Sequence, residues 1–305
     1  MLKLKFLPLS IMVAWATGCG SWSADSHFSY GVWSDDGTQA AFTLNRFESR
    51  DNLWRFLASA DTRRRDSLQV YISAAQPGSP VQALGPIFPG SNMNQSKLFY
   101  MSTAGYVTLS RQIPIKSRQD ENGSSFSEFY VEQIALDGTH RRVATKTAVQ
   151  MLSCDGGSSA TSMPAGVVAI PNFDGSLIAL LSTDADCQSL QTEVTFLNAS
   201  DLSVFSGPFN LFQNAPTPMG GVEYAWTPSD QFMMGFWSFG GVSGASASTS
   251  GQITSFTGVD MNCFHPSTSS GEWNASGQSL LVSDSERVEI DANTVGPQNR
   301  QGCPP

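Results

Sequence analysis

Few residues in this chain are of a type and spacing that would do chemistry. Its three histidines are His27, His140 and His265. His27 stands near the N-terminus, His140 just after a turn, and His265 beside Cys263 and Pro266. None has a partner at a spacing that suggests a general base, so each reads as a surface or loop residue. Gly156-Gly157-Ser158-Ser159-Ala160 has the outline of a nucleophile elbow, but an elbow needs a strand–turn–helix setting, and no helical pattern follows it. It reads as a flexible loop. Ser243 to Ser250 likewise reads as a small-residue loop, lacking the lysine of a phosphate-binding loop. Asp184 with Asp186, and Asp120 with Asn122 before Gly123, offer oxygen ligands in pairs. Neither segment supplies the further acid that closes a calcium loop, which takes about six to eight oxygens. No catalytic residue, metal site or cofactor is assigned on these grounds, and the reading leans away from an enzyme. Aromatic residues are a better handle. Trp33, Trp226 and Trp273 read as core, whereas Trp54, Phe56 and Trp237 lie near insertions or strand ends and form the candidate binding surface.

A further chemistry is suggested at the N-terminus. Lys3 and Lys5 precede an apolar run from Phe6 to Ala16, interrupted by Pro8. The run has the length of a signal-peptide core and is shorter than the roughly 20 residues a spanning helix needs. It ends in Ala16-Thr17-Gly18-Cys19, which resembles the lipobox of bacterial lipoproteins, although Ala16 stands where that family most often has Leu. The resemblance implies that residues 1–18 are a signal peptide, that Cys19 carries lipid, and that the mature chain is extracytoplasmic. Gly20 follows Cys19, where an Asp would mark retention at the inner membrane, so the outer membrane is favoured. Several acyl chains, at about 0.8 kcal/mol per buried CH₂, would make the attachment effectively permanent. Residues 19–27 are expected to form the lipidated tether, and 28–305 a single domain.

Export changes how the remaining cysteines are read. Cys154, Cys187, Cys263 and Cys303 are an even number in an oxidising compartment, so two disulfides are expected among three possible connectivities. Sequence order favours Cys154–Cys187 and Cys263–Cys303. No CxxC pair supports zinc. The formal net charge is −9, which argues against nucleic acid as a partner and against overall electrostatic adhesion to an anionic membrane. Arg63-Arg64-Arg65, between Asp61 and Asp66, reads as a solvated loop, or otherwise as a contact point for an acidic partner.

The elements that would position a site are nearly all strands. Only Asp51 to Ala58 could make a short helix. Elsewhere, runs of Val, Phe, Tyr, Ile and Leu alternate with Gly, Ser, Asn and Asp clusters. Trp33-Ser34-Asp35-Asp36-Gly37, followed by an apolar strand, sets a pattern of aromatic, polar turn, Gly and strand. Ala225-Trp226-Thr227-Pro228-Ser229-Asp230, Trp273-Asn274-Ala275-Ser276-Gly277 and Pro171-Asn172-Phe173-Asp174-Gly175 repeat it. A degenerate copy runs from Asn92 to Tyr100, with Gln95 in the Gly slot. A second kind of hairpin surrounds Asp137-Gly138, and Gln69–Ser73 and Glu193–Asn198 begin similar ones. The turn motifs resemble the repeats of TolB-type, WD40-like β-propellers. That resemblance implies an all-β fold, a β-propeller of about five or six four-stranded blades, with the interval from Gln95 to Gly175 wide enough to hide a blade. A β-sandwich is the alternative.

Together these readings describe a lipid-anchored cell-envelope protein, a non-catalytic propeller that binds a protein or glycan partner. The alternative is an extracytoplasmic, glycan-directed hydrolase. Paired carboxylates in the central channel would favour the hydrolase, and an apolar, aromatic-rich face would favour binding.

Overall fold

The computed structural model describes residues 22–28, 32–50, 63–74, 79–90, 92–119, 125–150, 166–185, 189–215, 222–227, 229–238, 241–259, 279–282 and 288–291. All regular structure there is β. Alternating apolar and polar residues account for it: in Leu190–Asn198 the inward positions Leu190, Thr192, Val194 and Phe196 are buried while Gln191 and Glu193 are exposed. Gly166–Pro171 is buried on both faces over most of its length, as expected of a strand covered on two sides.

The strands form consecutive antiparallel meanders. In the first blade β1 (Trp22–Phe28) and β2 (Val32–Trp33) lie one after the other along β3 (Gln39–Arg50), which pairs with β4 (Arg63–Ala74) and then β5 (Gln82–Pro89). The second contains β6 (Asn92–Met101), β7 (Tyr106–Gln119), β8 (Ser125–Ala135) and β9 (His140–Gln150). The third contains β10 (Gly166–Pro171), β11 (Leu177–Ala185), β12 (Leu190–Asn198) and β13 (Val204–Ala215). The fourth contains β14 (Val222–Trp226), β15 (Gln231–Ser238), β16 (Gly241–Ser248) and β17 (Ile253–Val259). A hairpin of β18 (Ser279–Val282) and β19 (Val288–Asp291) begins at the strand that follows the Trp273 repeat.

The core lies between successive sheets. Tyr100, Val107 and Leu109 pack with Leu68, Val70, Leu84 and Phe88 across blades one and two. Met101, Tyr106 and Val131 pack with Val167, Ala169 and Ile178 across blades two and three. Ile170, Val194 and Phe196 pack with Trp226, Phe232 and Met234 across blades three and four. Blades stacked in chain order, each burying both faces, make a fold of β-propeller type. A β-sandwich would bury its apolar side chains between two facing sheets; here one layer follows another.

The repeat turns work as their residue types require. Gly37 and Gly175 have φ of 69° and 71°, and Asp230 takes the same left-handed region at 55°. The first polar residue of each turn fastens the hairpin from within. Ser34 Oγ accepts from Gln39 N–H at 3.0 Å, Asn172 Oδ1 from Leu177 N–H at 3.0 Å, and Thr227 Oγ1 from Gln231 N–H at 3.1 Å. Asp137-Gly138 turns as expected, with Gly138 at φ 87°.

Four sequence readings are corrected. Gln95 does not mark a turn: it lies inside β6, and the second blade turns instead at Ser102–Gly105, with Gly105 at φ 79°. Among the described residues, the long interval before Gly175 holds the extended β7, β8 and β9 of one sheet and no strands of a further blade. Ser243 to Ser248 is strand β16 and only residues 249–250 turn; small residues are there because the strands approach closely. A Cβ on Gly244 would stand 2.0 Å from the Met234 carbonyl oxygen. Arg63-Arg64-Arg65 opens β4, with Arg65 opposite Glu48 in β3, so it is strand rather than loop. In addition, strand begins at Trp22, inside the segment expected to be tether. The short helix expected at Asp51–Ala58 lies outside the described residues.

Candidate binding site

Each turn of the repeat grips its neighbour. The Asp35 carboxylate, on the first blade's turn, accepts from the Ser102 N–H and hydroxyl, both at 2.7 Å, and from the Thr103 N–H and hydroxyl. Tyr106 of the second blade donates its hydroxyl to the Gly175 carbonyl at 2.9 Å. Asn172 Nδ2 of the third blade donates to Asp230 Oδ1 of the fourth at 3.2 Å, and Trp226 Nε1 donates back to the Ile170 carbonyl at 3.0 Å. Beside these, Asp36 accepts from Ser34 Oγ and from the Thr38 N–H and hydroxyl. Burial alone would raise its carboxyl, but the bonds from Ser34 and Thr38 prevail and hold it down at about 2. Asp174 is lowered by hydrogen bonds from the Ser176 side chain and N–H. These carboxylates act as turn fasteners.

A second polar constellation sits deeper, where the second blade meets the first. Glu132 on β8 is wholly buried. Its Oε1 accepts from Arg111 Nη2 at 2.9 Å and Nε at 3.3 Å, and lies 3.4 Å from Arg142 Nε. Its Oε2 lies 2.8 Å from His140 Nε2. The Arg111 guanidinium, 4% exposed, is sandwiched between the Phe88 ring of the first blade at 4.8 Å and the Tyr130 ring at 4.4 Å. His140 also meets the edge of Phe88. Read from sequence as a loop residue, His140 is instead the first residue of β9 and a partner of a buried carboxylate. Nothing in the linear order signals this, because cross-strand register alone assembles residues 111, 132, 140 and 142. A carboxylate held by two guanidiniums and an imidazole is fully engaged, and its arrangement is that of an inter-blade joint.

A third site lies between inner strands that are not neighbours. Lys97 on β6 places Nζ 4.3 Å from the centre of the Tyr224 ring on β14, with the whole third blade between the two strands in chain order. First strands of the second and fourth blades meet in this way only across the middle of a propeller. Lys97 as a residue is exposed, yet the protein crowded around its amine desolvates it and pushes it down to about 8, with the Glu223 carboxylate opposing the shift. Burial pushes the Tyr224 hydroxyl well above its ordinary range. A cation, an aromatic face and one neighbouring carboxylate suit recognition of a polar ligand. They do not constitute the pair of carboxylates that glycoside hydrolysis requires.

The residues singled out from sequence are only partly placed. Trp33 and Trp226 are buried, as expected of core. Trp237 is in β15, paired with Val242 of β16. Trp54, Phe56, Trp273 and His265 lie outside the described residues, as do Cys19, Cys154, Cys187, Cys263 and Cys303. Asp184 is described and pairs with Lys146 at 2.8 Å; Asp186, Asp120 and Asn122 are not. Lys97 and Tyr224 were not singled out, because a pair formed between strands of separate blades leaves no periodic signal.

No protein-family model matches the sequence, and no curated protein matches it. Among solved structures, the chain is similar to TolB from Acinetobacter baumannii at 10% sequence identity and a TM-score of 0.36. The alignment covers 77% of this chain and 55% of that one, so the chain spans about half the length of the TolB structure.

Proposed function

We propose that this chain is a lipid-anchored, extracytoplasmic binding protein, fixed to a bacterial membrane through Cys19, the outer membrane being favoured. Its propeller-type body takes a segment of an envelope protein or glycan without transforming it. The observation that carries the binding reading is the Lys97–Tyr224 pair across the inner strands. An ammonium over an aromatic face, partly stripped of water, favours a ligand group that restores its lost solvation, and a carboxylate is the simplest such group. Among the described residues, Asp35, Asp230 and Glu132 are already engaged in holding blades together. The address rests on the resemblance of Ala16-Thr17-Gly18-Cys19 to a lipobox.

Two measurements test the reading. Intact mass of protein from its native membrane, beside a Cys19→Ala control, should show a lipid-sized increment only in the unaltered chain. The same spectra with and without reductant should reveal four thiols only after reduction. Cross-linking in intact cells followed by peptide mapping should place one envelope partner within reach of Lys97, or purified cell-wall glycan should bind saturably. Either contact should be lost in Lys97→Glu and kept in Lys97→Arg. Turnover of a glycan by the purified chain would overturn the binding reading.

A further inference from the structure

We propose that the end of the first blade that carries Trp22, Arg50 and Arg63 is a contact surface for the anionic headgroups of the bilayer in which the protein is anchored. The placement rests on the reading of Cys19 as the lipidated residue. Trp22 already belongs to β1, so three residue steps separate the lipid from folded sheet. A fully extended chain covers at most about 3.3–3.6 Å per residue; the end of the sheet therefore lies within about 10 Å of the anchor, close to one Debye length at physiological salt.

What the strand register brings to that end is basic. Trp22 pairs with Arg50, and Arg50 pairs with Arg63, so the three positions form one rung across β1, β3 and β4. Arg64 follows opposite Ser49, and Arg65 opposite Glu48. Of the chain's 17 lysines and arginines, six fall between Arg46 and Arg65, in a protein whose formal charge is −9. Tryptophan and arginine are also the residue types that settle at the membrane–water interface. The overall acidity that argues against adhesion of the whole body has a second effect here: it turns the acidic remainder away from the same surface and orients the protein with the Arg50–Arg63 end down.

The test uses the full mature chain, reconstituted into vesicles of phosphatidylcholine alone or phosphatidylcholine mixed with phosphatidylglycerol, with hydrogen exchange read on peptides covering 46–50 and 63–68. Each basic residue at an anionic surface favours contact about fivefold. Exchange over both segments should accordingly slow by on the order of tenfold or more when phosphatidylglycerol is present, and the slowing should fade with added salt. It should be lost in Arg63→Gln/Arg64→Gln and kept in Arg63→Lys/Arg64→Lys. If the glutamine variant does not fold, the salt dependence of the unaltered protein decides. Equal exchange in the two kinds of vesicle overturns the proposal. The intact mass of the same preparation keeps the two ideas apart. A lipidated chain indifferent to phosphatidylglycerol sinks the headgroup contact alone, whereas a chain without lipid sinks the anchor and, with it, the placement of this surface.

Discussion

Replacing Glu132 by alanine should unfold the joint between the first two blades at a cost that can be worked out from its partners. The carboxylate is wholly buried and is the anion for Arg111, whose guanidinium is 4% exposed and has an aromatic ring on either side. Removing the carboxylate takes an anion away from that charge where water reaches it poorly. Breaking a buried pair from one side costs about 3–5 kcal/mol. Arg142 is half exposed and His140 about a quarter exposed, so both can turn to solvent and add little. In urea, with a slope of about 2 kcal/mol/M, the midpoint should fall by on the order of 2 M. The control is Glu132→Leu with Arg111→Met, which removes both charges and keeps the volume. It should recover most of the loss, since apolar replacement of a buried pair is often neutral or better. Denaturation followed by tryptophan fluorescence reads both variants. A loss below about 1 kcal/mol for Glu132→Ala, or a double variant no more stable than the single one, would refute the assignment of this cluster as a joint that depends on its central charge.

Other consequences are as direct. Lys97 should react with an amine reagent with a midpoint near pH 8 rather than the ordinary 10.5, followed by mass spectrometry of its peptide; a midpoint above 10 contradicts the crowded site. Since its folded value lies below its unfolded one, charged Lys97 burdens the fold below about pH 8, and that burden lifts as pH rises toward 10.5. Lys97→Met should therefore stabilise at neutral pH, with the gain disappearing at high pH in thermal melts. Asp36, held at about 2 against an ordinary 3.8, contributes stability above pH 3.8 that is lost as pH falls toward 2, and Asp36→Asn should remove that part of the acid transition. Gly244→Ala drives a Cβ into the Met234 carbonyl and should cost about 3 kcal/mol or more, read as a drop in melting temperature. Asp35→Ala loses its bonds to Ser102 and Thr103 and should cost about 1–3 kcal/mol.

The parts of the fold legible in the sequence are those with a local cause. A left-handed turn favours Gly, Asp or Asn, so Gly37, Gly175, Asp230 and Asp137-Gly138 are marked by residue type alone. The second blade's turn was misplaced because Asn94 and Gln95 imitate a turn, whereas Ser102-Thr103-Ala104-Gly105 has a weaker polar signature. The small residues of β16 read as loop because composition records size and not the reason for it, which is the approach of Met234. Arg63-Arg64-Arg65 read as loop because charge suggests solvent, while pairing with β3 is decided by a partner more than ten residues away. The sites were the least legible part. Glu132 with Arg111, His140 and Arg142, and Lys97 with Tyr224, exist only once register and ring order have been set. Each residue alone has the look of an ordinary surface position.

The grips between turns, Asp35 on Ser102, Tyr106 on Gly175 and Asn172 on Asp230, make the joint between blades the unit of inheritance. A hairpin's own fasteners travel with it when a gene segment is copied, but the two halves of a joint belong to different copies. A duplicated blade would arrive offering the wrong half to one of its neighbours. The chemistry at each joint differs from the next: carboxylate to hydroxyl, phenol to carbonyl, amide to carboxylate. Blades joined in this way cannot be shuffled without loss, so the joints hold the blades to one order.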